Sequence, residues 1–336
     1  MARKQKLAQY IESARINARL DEACKRLLGN RIILAWILKS VVDEFKDYDV
    51  SEIAEKYIEG SPVIAAAAVH QDEGGITGES IRGEDTADKT ISEGTVTFDI
   101  RFRAIVPRNG KVITLILNVE AQNDFYPGYP LVKRGIYYCC RLVSGQHGTE
   151  FSESHYEKLK KVYSIFICIN PPKNRENMIT KYEIAETNLK GEVREPVEHY
   201  DMMTAVMMCL GKTAAGKSEK RNAAEEKAVE EQTAGDQPKD TLELLTVLLS
   251  SELEAKDKMK ILERDFGIPM TGDLEEEVTQ MCNYSKGVEE KGIFLALSSL
   301  VKDGLLIPEE AAKRVNLSTE EFLERMKETA QRSREQ

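Results

Sequence analysis

The sequence predicts a mixed α/β fold, a sheet core flanked by helices and followed by a helical C-terminal region, and three observations carry that expectation. Apolar residues up to about Tyr48 recur at three- and four-residue steps, the spacing of one helix face. Between Thr95 and Glu120 the period falls to two, the mark of strands, on both sides of an Asn-Gly pair. Beyond Thr241 the helical period returns and holds to the end.

The first helical stretch divides at Gly29-Asn30. Before it, Ile16, Leu20, Ala23 and Leu27 share a face. After it, a helix over Ile32–Phe45 places Ile33, Trp36, Ile37, Ser40, Val41 and Glu44 together. Gln71–Gly94, rich in Gly, Asp and Glu, reads as loop with at most a short strand. Strands over Thr95–Val106 and Val112–Glu120 follow, and the Pro127-Gly128-Tyr129-Pro130 segment then turns the chain. Leu131–Val143 reads as a helix, and Val162–Ile169 as a buried strand stopped by Pro171-Pro172. Lys181–Thr187 and Met202–Leu210 are further strand segments. Helices are expected at Leu242–Leu249, Lys256–Asp265, Leu274–Met281, Gly292–Val301, Pro308–Val315 and Thr319–Lys327. The resulting organisation is a core over 1–212, a charged Ala/Glu/Lys/Gln linker over 213–240, and a helical region over 241–336.

Composition narrows the function classes. The 336 residues are 41% hydrophobic and 31% charged, as in an ordinary soluble protein. The longest apolar runs, Ile32–Leu38 and Ile64–Val69, fall far short of the ~20 residues that cross a bilayer. The opening residues lack the pattern of a secretory signal, so the expected compartment is the cytoplasm, with no membrane partner. Cys24, Cys139, Cys140, Cys168, Cys209 and Cys282 form no C-x-x-C pair, and His70, His147, His155 and His199 are scattered. Zinc ligation is excluded on that spacing, and the cysteines read as small core residues in a reducing compartment. The net charge of -10 argues against a polyanion-binding surface over the whole chain. The acids gather in Glu219–Asp240, Asp273–Glu277 and Ser318–Glu328, leaving the first two-thirds richer in Lys and Arg.

The hairpin carries the chemistry. With Asn109-Gly110 as the two residues of a type I′ turn, Arg108 faces Lys111 and Val106 faces Ile113. Asp99 then falls opposite Glu120, Thr97 opposite Gln122, and Arg101 opposite Asn118. One face collects Phe98, Ile100, Phe102, Ala104 and Val106 with Ile113, Leu115, Leu117, Val119 and Ala121, a core face. The other collects Thr97, Asp99, Arg101 and Arg103 with Ile116, Asn118, Glu120 and Gln122. Carboxylates directly across a ladder repel, so such a pair is kept either by solvent exposure, with Arg101 and Arg103 as counter-charges, or by a bound cation.

An Asp, then a strand ending in Glu-x-Gln, then a helix and another buried strand, is the order of the PD-(D/E)XK nucleases. The strings Thr97-Phe98-Asp99-Ile100-Arg101-Phe102, Asn118-Val119-Glu120-Ala121-Gln122, Tyr126-Pro127-Gly128-Tyr129 and Arg134-Gly135-Ile136-Tyr137-Tyr138 resemble the PD-(D/E)XK nuclease family transposases, also called recombination-promoting nucleases. Similarity continues in Ile33–Lys39, in Lys161–Ile165 and from Met270 to Gly292, and so covers most of the chain. The resemblance implies a restriction-endonuclease-like fold and hydrolysis of phosphodiester bonds in DNA with Mg²⁺, Mn²⁺ able to substitute. It makes Asp99, Glu120 and the Ala121 carbonyl the expected metal ligands, with Glu44 of the preceding helix as a fourth. Gln122 stands where the superfamily usually has lysine, and it carries no charge. Arg134, near the start of the following helix, is the candidate for the missing cation. The alternative is a catalytically degenerate nuclease fold that binds DNA or protein. Whether the chain is a monomer or a homo-oligomer stays open.

Three other signals are weaker. Gly211–Ser218 fits the phosphate-loop pattern, but the segment after it, Glu219–Gln232, has almost no apolar face to pack on a sheet, so no nucleotide cofactor is expected. Phe125, Tyr126 and Tyr129 could stack on bases or pack their loop. Ser318 with Glu321 makes a capping box for the last helix, which is too acidic for a DNA groove.

Overall fold

A computed structural model describes residues 18–64, 87–90, 94–97, 99–108, 111–212, 240–315 and 317–335. Most of the expected loop over Gln71–Gly94, the turn residues 109–110 and nearly all of the linker and phosphate-loop pattern lie outside them. The chain separates into two compact units. One spans Cys24–Glu275; the other comprises residues 18–23 and 276–335 of those described.

Helix α1 (18–28), whose residues from Cys24 on belong to the larger unit, stops at Gly29-Asn30 as expected. A Cβ on Gly29 would lie 2.8 Å from the Ile64 side chain, so the turn needs glycine for close approach. Asn30 caps α2 (Arg31–Val41), its side chain accepting the Ile32 N–H at 3.1 Å. Ile33, Leu34, Ala35, Ile37, Leu38 and Val41 of α2 are buried, more than a single face. The helix ends four residues earlier than expected, and Asp43–Phe45 form a tighter 3₁₀ turn that rotates Glu44 off the predicted face. A short α3 (Val50–Glu52) runs through a π-helical turn (Ile53–Tyr57) into strand β1 (Ile58–Ile64). Arg31 ties this entry to α2, donating to the carbonyls of Ala54, Ile58 and Gly60 at 2.9, 2.8 and 2.6 Å.

Strands β2 (Ala87–Thr90) and β3 (Gly94–Thr97) form a separate two-stranded ribbon. The main sheet adds β4 (Ile100–Arg108), β5 (Lys111–Asp124), β6 (Val162–Asn170), β7 (Met178–Glu183) and β8 (Met203–Cys209) to β1, in the order β1-β4-β5-β6-β8-β7. β5, β6 and β8 run parallel; β1, β4 and β7 are antiparallel to their neighbours. The β4–β5 register is the predicted one from Arg108–Lys111 to Ile100–Val119. The expected continuous strand Thr95–Val106 is interrupted, however, and Thr97 pairs with Ala87 of the ribbon rather than facing Gln122. The β7 strand lies earlier than the expected Lys181–Thr187.

Helix α4 (Leu131–Ser144) packs across the parallel strands. Leu131, Tyr138, Cys139 and Leu142 meet Ile116, Val162, Phe166, Cys168, Ala205, Met207 and Cys209 in one cluster. Gly135 permits this closeness: a Cβ there would sit 2.9 Å from Met207 Cε, 3.4 Å from Ala205 Cβ and 3.5 Å from Phe166 Cε2. All six cysteines are free, and all but Cys140 are buried.

Helices α5 (Thr241–Leu249) and α6 (Ala255–Phe266), expected with the C-terminal region, belong to the sheet unit. Thr241 Oγ1 donates to the Trp36 carbonyl at 3.3 Å, and the Trp36 and Phe266 rings meet edge-on at 5.7 Å. Lys258, fully buried, caps α5 by donating to the Leu248 carbonyl at 2.9 Å. The two helices expected over Leu274–Met281 and Gly292–Val301 are one, α7 (Gly272–Lys302). In the smaller unit, α8 (Pro308–Arg314) and α9 (Thr319–Glu335) join Phe294 and Leu297 of α7 around Ala311, Ala312 and Phe322. The capping box is made: Ser318 Oγ accepts the Glu321 N–H at 3.2 Å, and Glu321 Oε2 accepts the Ser318 N–H at 2.9 Å. No helix among the described residues is long and apolar enough to cross a membrane.

Candidate metal centre

Alternation along β5 sends Ile116, Asn118 and Glu120 to the α4 side, where they are buried rather than solvated. Glu120 is 1% exposed and Asn118 fully buried. Asn118 Nδ2 lies 3.3 Å from Ser164 Oγ on β6. Arg103 leaves this set to pair, with Lys160, with Glu150. The reading of an exposed face therefore fails.

Asp99 occupies a bend immediately before β4, so it is not a ladder partner of Glu120. The two are locked by a reciprocal pair of bonds instead. The Asp99 N–H donates to Glu120 Oε1 at 2.9 Å, and the Ala121 N–H donates to Asp99 Oδ2 at 3.1 Å. Predicted juxtaposition is thus achieved by a different bonding pattern. Burial and, after it, the nearby Asp99 charge push the Glu120 carboxyl up to about 8.

Comparison with family models, with curated proteins and with solved structures finds no match for this chain. The chemistry of the site must therefore be read from its own groups.

Arg134 joins the site from the first turn of α4. Its guanidinium donates to Glu120 Oε2 at 3.1 Å and to Gln122 Oε1 at 3.2 Å, lying over the Tyr138 ring at 4.9 Å. Gln122 completes the corner by donating to the Asp124 carbonyl at 2.5 Å. Lys25, which the sequence reading missed, enters from α1. Its Nζ lies 2.9 Å from Asp99 Oδ1, with only 11% of its side chain exposed. On a helix between Cys24 and Leu27 it looks like any solvated lysine, and only the long-range contact singles it out.

Glu44 is not part of this cluster, which corrects its expected role as a fourth ligand. Its carboxylate accepts from Lys161 Nζ at 3.2 Å and from the Tyr163 hydroxyl at 2.7 Å. Tyr163 alternates with Val162 and Ser164 and so points away from α4, on the opposite side of the sheet from Glu120. Among the described residues no group of three or more His, Cys, Asp or Glu side chains is placed to hold one metal ion. Two carboxylates with a backbone carbonyl still form a hard-oxygen donor set of the kind Mg²⁺ uses when waters complete its shell. Burial first, and the Asp99 charge second, raise the Glu120 carboxyl, and a divalent cation would favour its ionised form. Those residues fit such an ion.

The rim is aromatic. Tyr126 and Tyr129 are exposed, and Phe125 meets Tyr126 edge-on at 5.1 Å with the Arg175 guanidinium 5.4 Å from its ring.

Proposed function

We propose that this chain is a Mg²⁺-dependent DNA endonuclease, with Mn²⁺ able to substitute, built on a restriction-endonuclease-like core and related in type to the recombination-promoting nucleases. One observation carries the reading: Asp99, in the bend before β4, and Glu120 of β5 are interlocked at the end of the β4–β5 ladder, Glu120 buried and Asp99 half-buried. Asp99, Glu120 and the Ala121 carbonyl would hold the ion. Bound there, a divalent cation supplies an acidified water and neutralises phosphate charge in the transition state. Arg134 sits where a cationic group can orient a phosphate oxygen, and Gln122 fixes Arg134. The exposed Tyr126 and Tyr129 rings offer stacking surfaces for bases beside the site.

The test is nicking of supercoiled plasmid by the purified full chain. Cleavage should require Mg²⁺ or Mn²⁺, stop on chelation, and vanish in Asp99→Ala and Glu120→Ala. Undiminished nicking by both variants would reject the assignment.

A second reading has its own observation. Each carboxylate already has a cationic partner, Lys25 for Asp99 and Arg134 for Glu120, as in a binding module whose ancestral metal site is closed by ion pairs. That reading predicts a folded protein that neither takes up heat-detectable Mn²⁺ nor nicks DNA.

A further inference from the structure

We propose that Cys168 and Cys209 are a peroxide-sensitive dithiol, which closes to a disulfide between neighbouring strands of the main sheet. The inference goes beyond the endonuclease reading and does not depend on it. Parallel pairing of β6 with β8 sets the two residues directly opposite each other, at the last rung of that ladder. Neighbouring strands lie about 4.8 Å apart, inside the range of roughly 4.4–6.8 Å between the Cα atoms of bonded cysteines. Both side chains enter the cluster under α4, so both sulfurs lie on one face of the sheet. They already meet through a hydrogen bond that the Cys168 thiol donates to Cys209. Two other thiols are placed differently: Cys139 Sγ donates to the Thr204 carbonyl at 3.5 Å, and Cys140 is exposed on α4.

The chemistry divides between the two sulfurs. The hydrogen bond from Cys168 lowers the Cys209 thiol and raises the Cys168 thiol, with burial adding to the second effect. Arg175, exposed on the turn before β7, adds positive charge that favours a thiolate. Cys209 is therefore the attacking sulfur. Its thiolate takes one oxygen from hydrogen peroxide to form a sulfenic acid, and the hydroxide released picks up the thiol proton as water. The Cys168 sulfur then bonds to Cys209 and expels the sulfenic oxygen as a second water. Two thiols and one peroxide thus become one disulfide and two waters, the sulfurs giving up two electrons to the peroxide. Both sulfurs are almost fully enclosed, which restricts the oxidant to a small uncharged molecule. Gln122, which holds Arg134, stands opposite Cys168 on β5, so the bond forms one strand away from the candidate metal centre.

The experiment treats the reduced full chain with a small excess of hydrogen peroxide, blocks the remaining thiols with iodoacetamide after unfolding, and maps the peptides by mass spectrometry. Wild type should lose two of its six free thiols and yield a linked peptide pair containing Cys168 and Cys209, which dithiothreitol separates. Cys168→Ser keeps a hydrogen-bond donor but removes the second sulfur, so Cys209 should stop at the sulfenic acid and be trapped by dimedone. Cys209→Ser should slow oxidation of Cys168 by roughly tenfold or more. Should either serine variant fail to fold, the wild-type peptide map alone decides the pairing. Oxidation confined to Cys140, a linkage through Cys139, or six intact thiols at a dose that oxidises glutathione overturns the proposal. Undiminished oxidation of Cys168 in Cys209→Ser refutes Cys209 as the attacking sulfur.

Discussion

Two buried ionic clusters lie on opposite sides of one sheet, and their difference separates a strut from a reaction site. On the side away from α4, charges alternate: Glu44 accepts from Lys161 and Tyr163, and Lys161 donates to Asp201 at 2.6 Å. Each anion there has its cation, and burial with the adjacent Glu44 raises the Tyr163 phenol, keeping it a neutral donor. On the α4 side two carboxylates are brought together by backbone bonds, and although Lys25 and Arg134 each partner one of them, burial and then the Asp99 charge leave Glu120 with a carboxyl that resists ionisation at neutral pH. Complementary charges minimise electrostatic energy. Burying a carboxyl beside a second acid raises the cost of ionising it, and a cation that binds there offsets that cost.

Substitutions can break this contrast, and the largest effect is expected where function concentrates. Asp99→Asn should reduce metal-dependent nicking on the order of 10³–10⁴-fold, read by initial rates on plasmid DNA. Glu44→Gln, in the strut, should leave kcat and Mn²⁺ affinity unchanged while costing on the order of 3 kcal/mol in urea denaturation, because Lys161 and Tyr163 lose a buried partner. Equal loss of activity in both would erase the distinction.

The next effect has the reverse sign. Glu120 has a folded-state carboxyl near 8 against an ordinary value of 4.5, so the fold favours its protonated form. Its contribution is fully present below about pH 4.5 and is lost as pH rises toward 8, at up to about 1.4 kcal/mol per pH unit. Glu120→Gln cannot ionise, so without metal it should be more stable than wild type at pH 8, on the order of 4 kcal/mol, and equal to it at pH 4. Mn²⁺ affinity of the wild type should rise with pH up to about 8 and then level, since the ion competes with that proton. A flat affinity profile between pH 6 and 8 would contradict the burial of Glu120. The smallest effect belongs to the outer edge of the strut, where Asp201 is 24% exposed. Asp201→Asn should cost about 1 kcal/mol or less by the same denaturation measurement.

The hairpin register was legible because a two-residue turn fixes every pair beyond it, and nine pairs from Arg108–Lys111 to Ile100–Val119 follow. The break before Asp99 was not, since Thr95–Thr97 continues the alternation and only pairing with Ala87–Thr90 diverts it. Glu44 shares helical spacing with Ile33 and Ile37, but the 3₁₀ turn after Val41 changes the angle per residue, so extrapolation failed there. Lys25 illustrates a more general obstacle: a charge on a helix carries no local sign of the distant carboxylate that will hold it. Arg134 was found because it lies one short loop beyond the strand that bears Glu120.

Gly135 sets the distance over which all of this operates. With hydrogen in place of a side chain, α4 settles against Phe166, Ala205 and Met207, and the neighbouring arginine arrives at bonding range by virtue of that contact. A methyl group would displace only the flexible tip of Met207, whereas a branched residue would collide with Ala205 and Phe166 as well. The helix would then ride outward as a spacer, carrying its guanidinium off Glu120. The reach of one cation is thus gauged by a missing side chain.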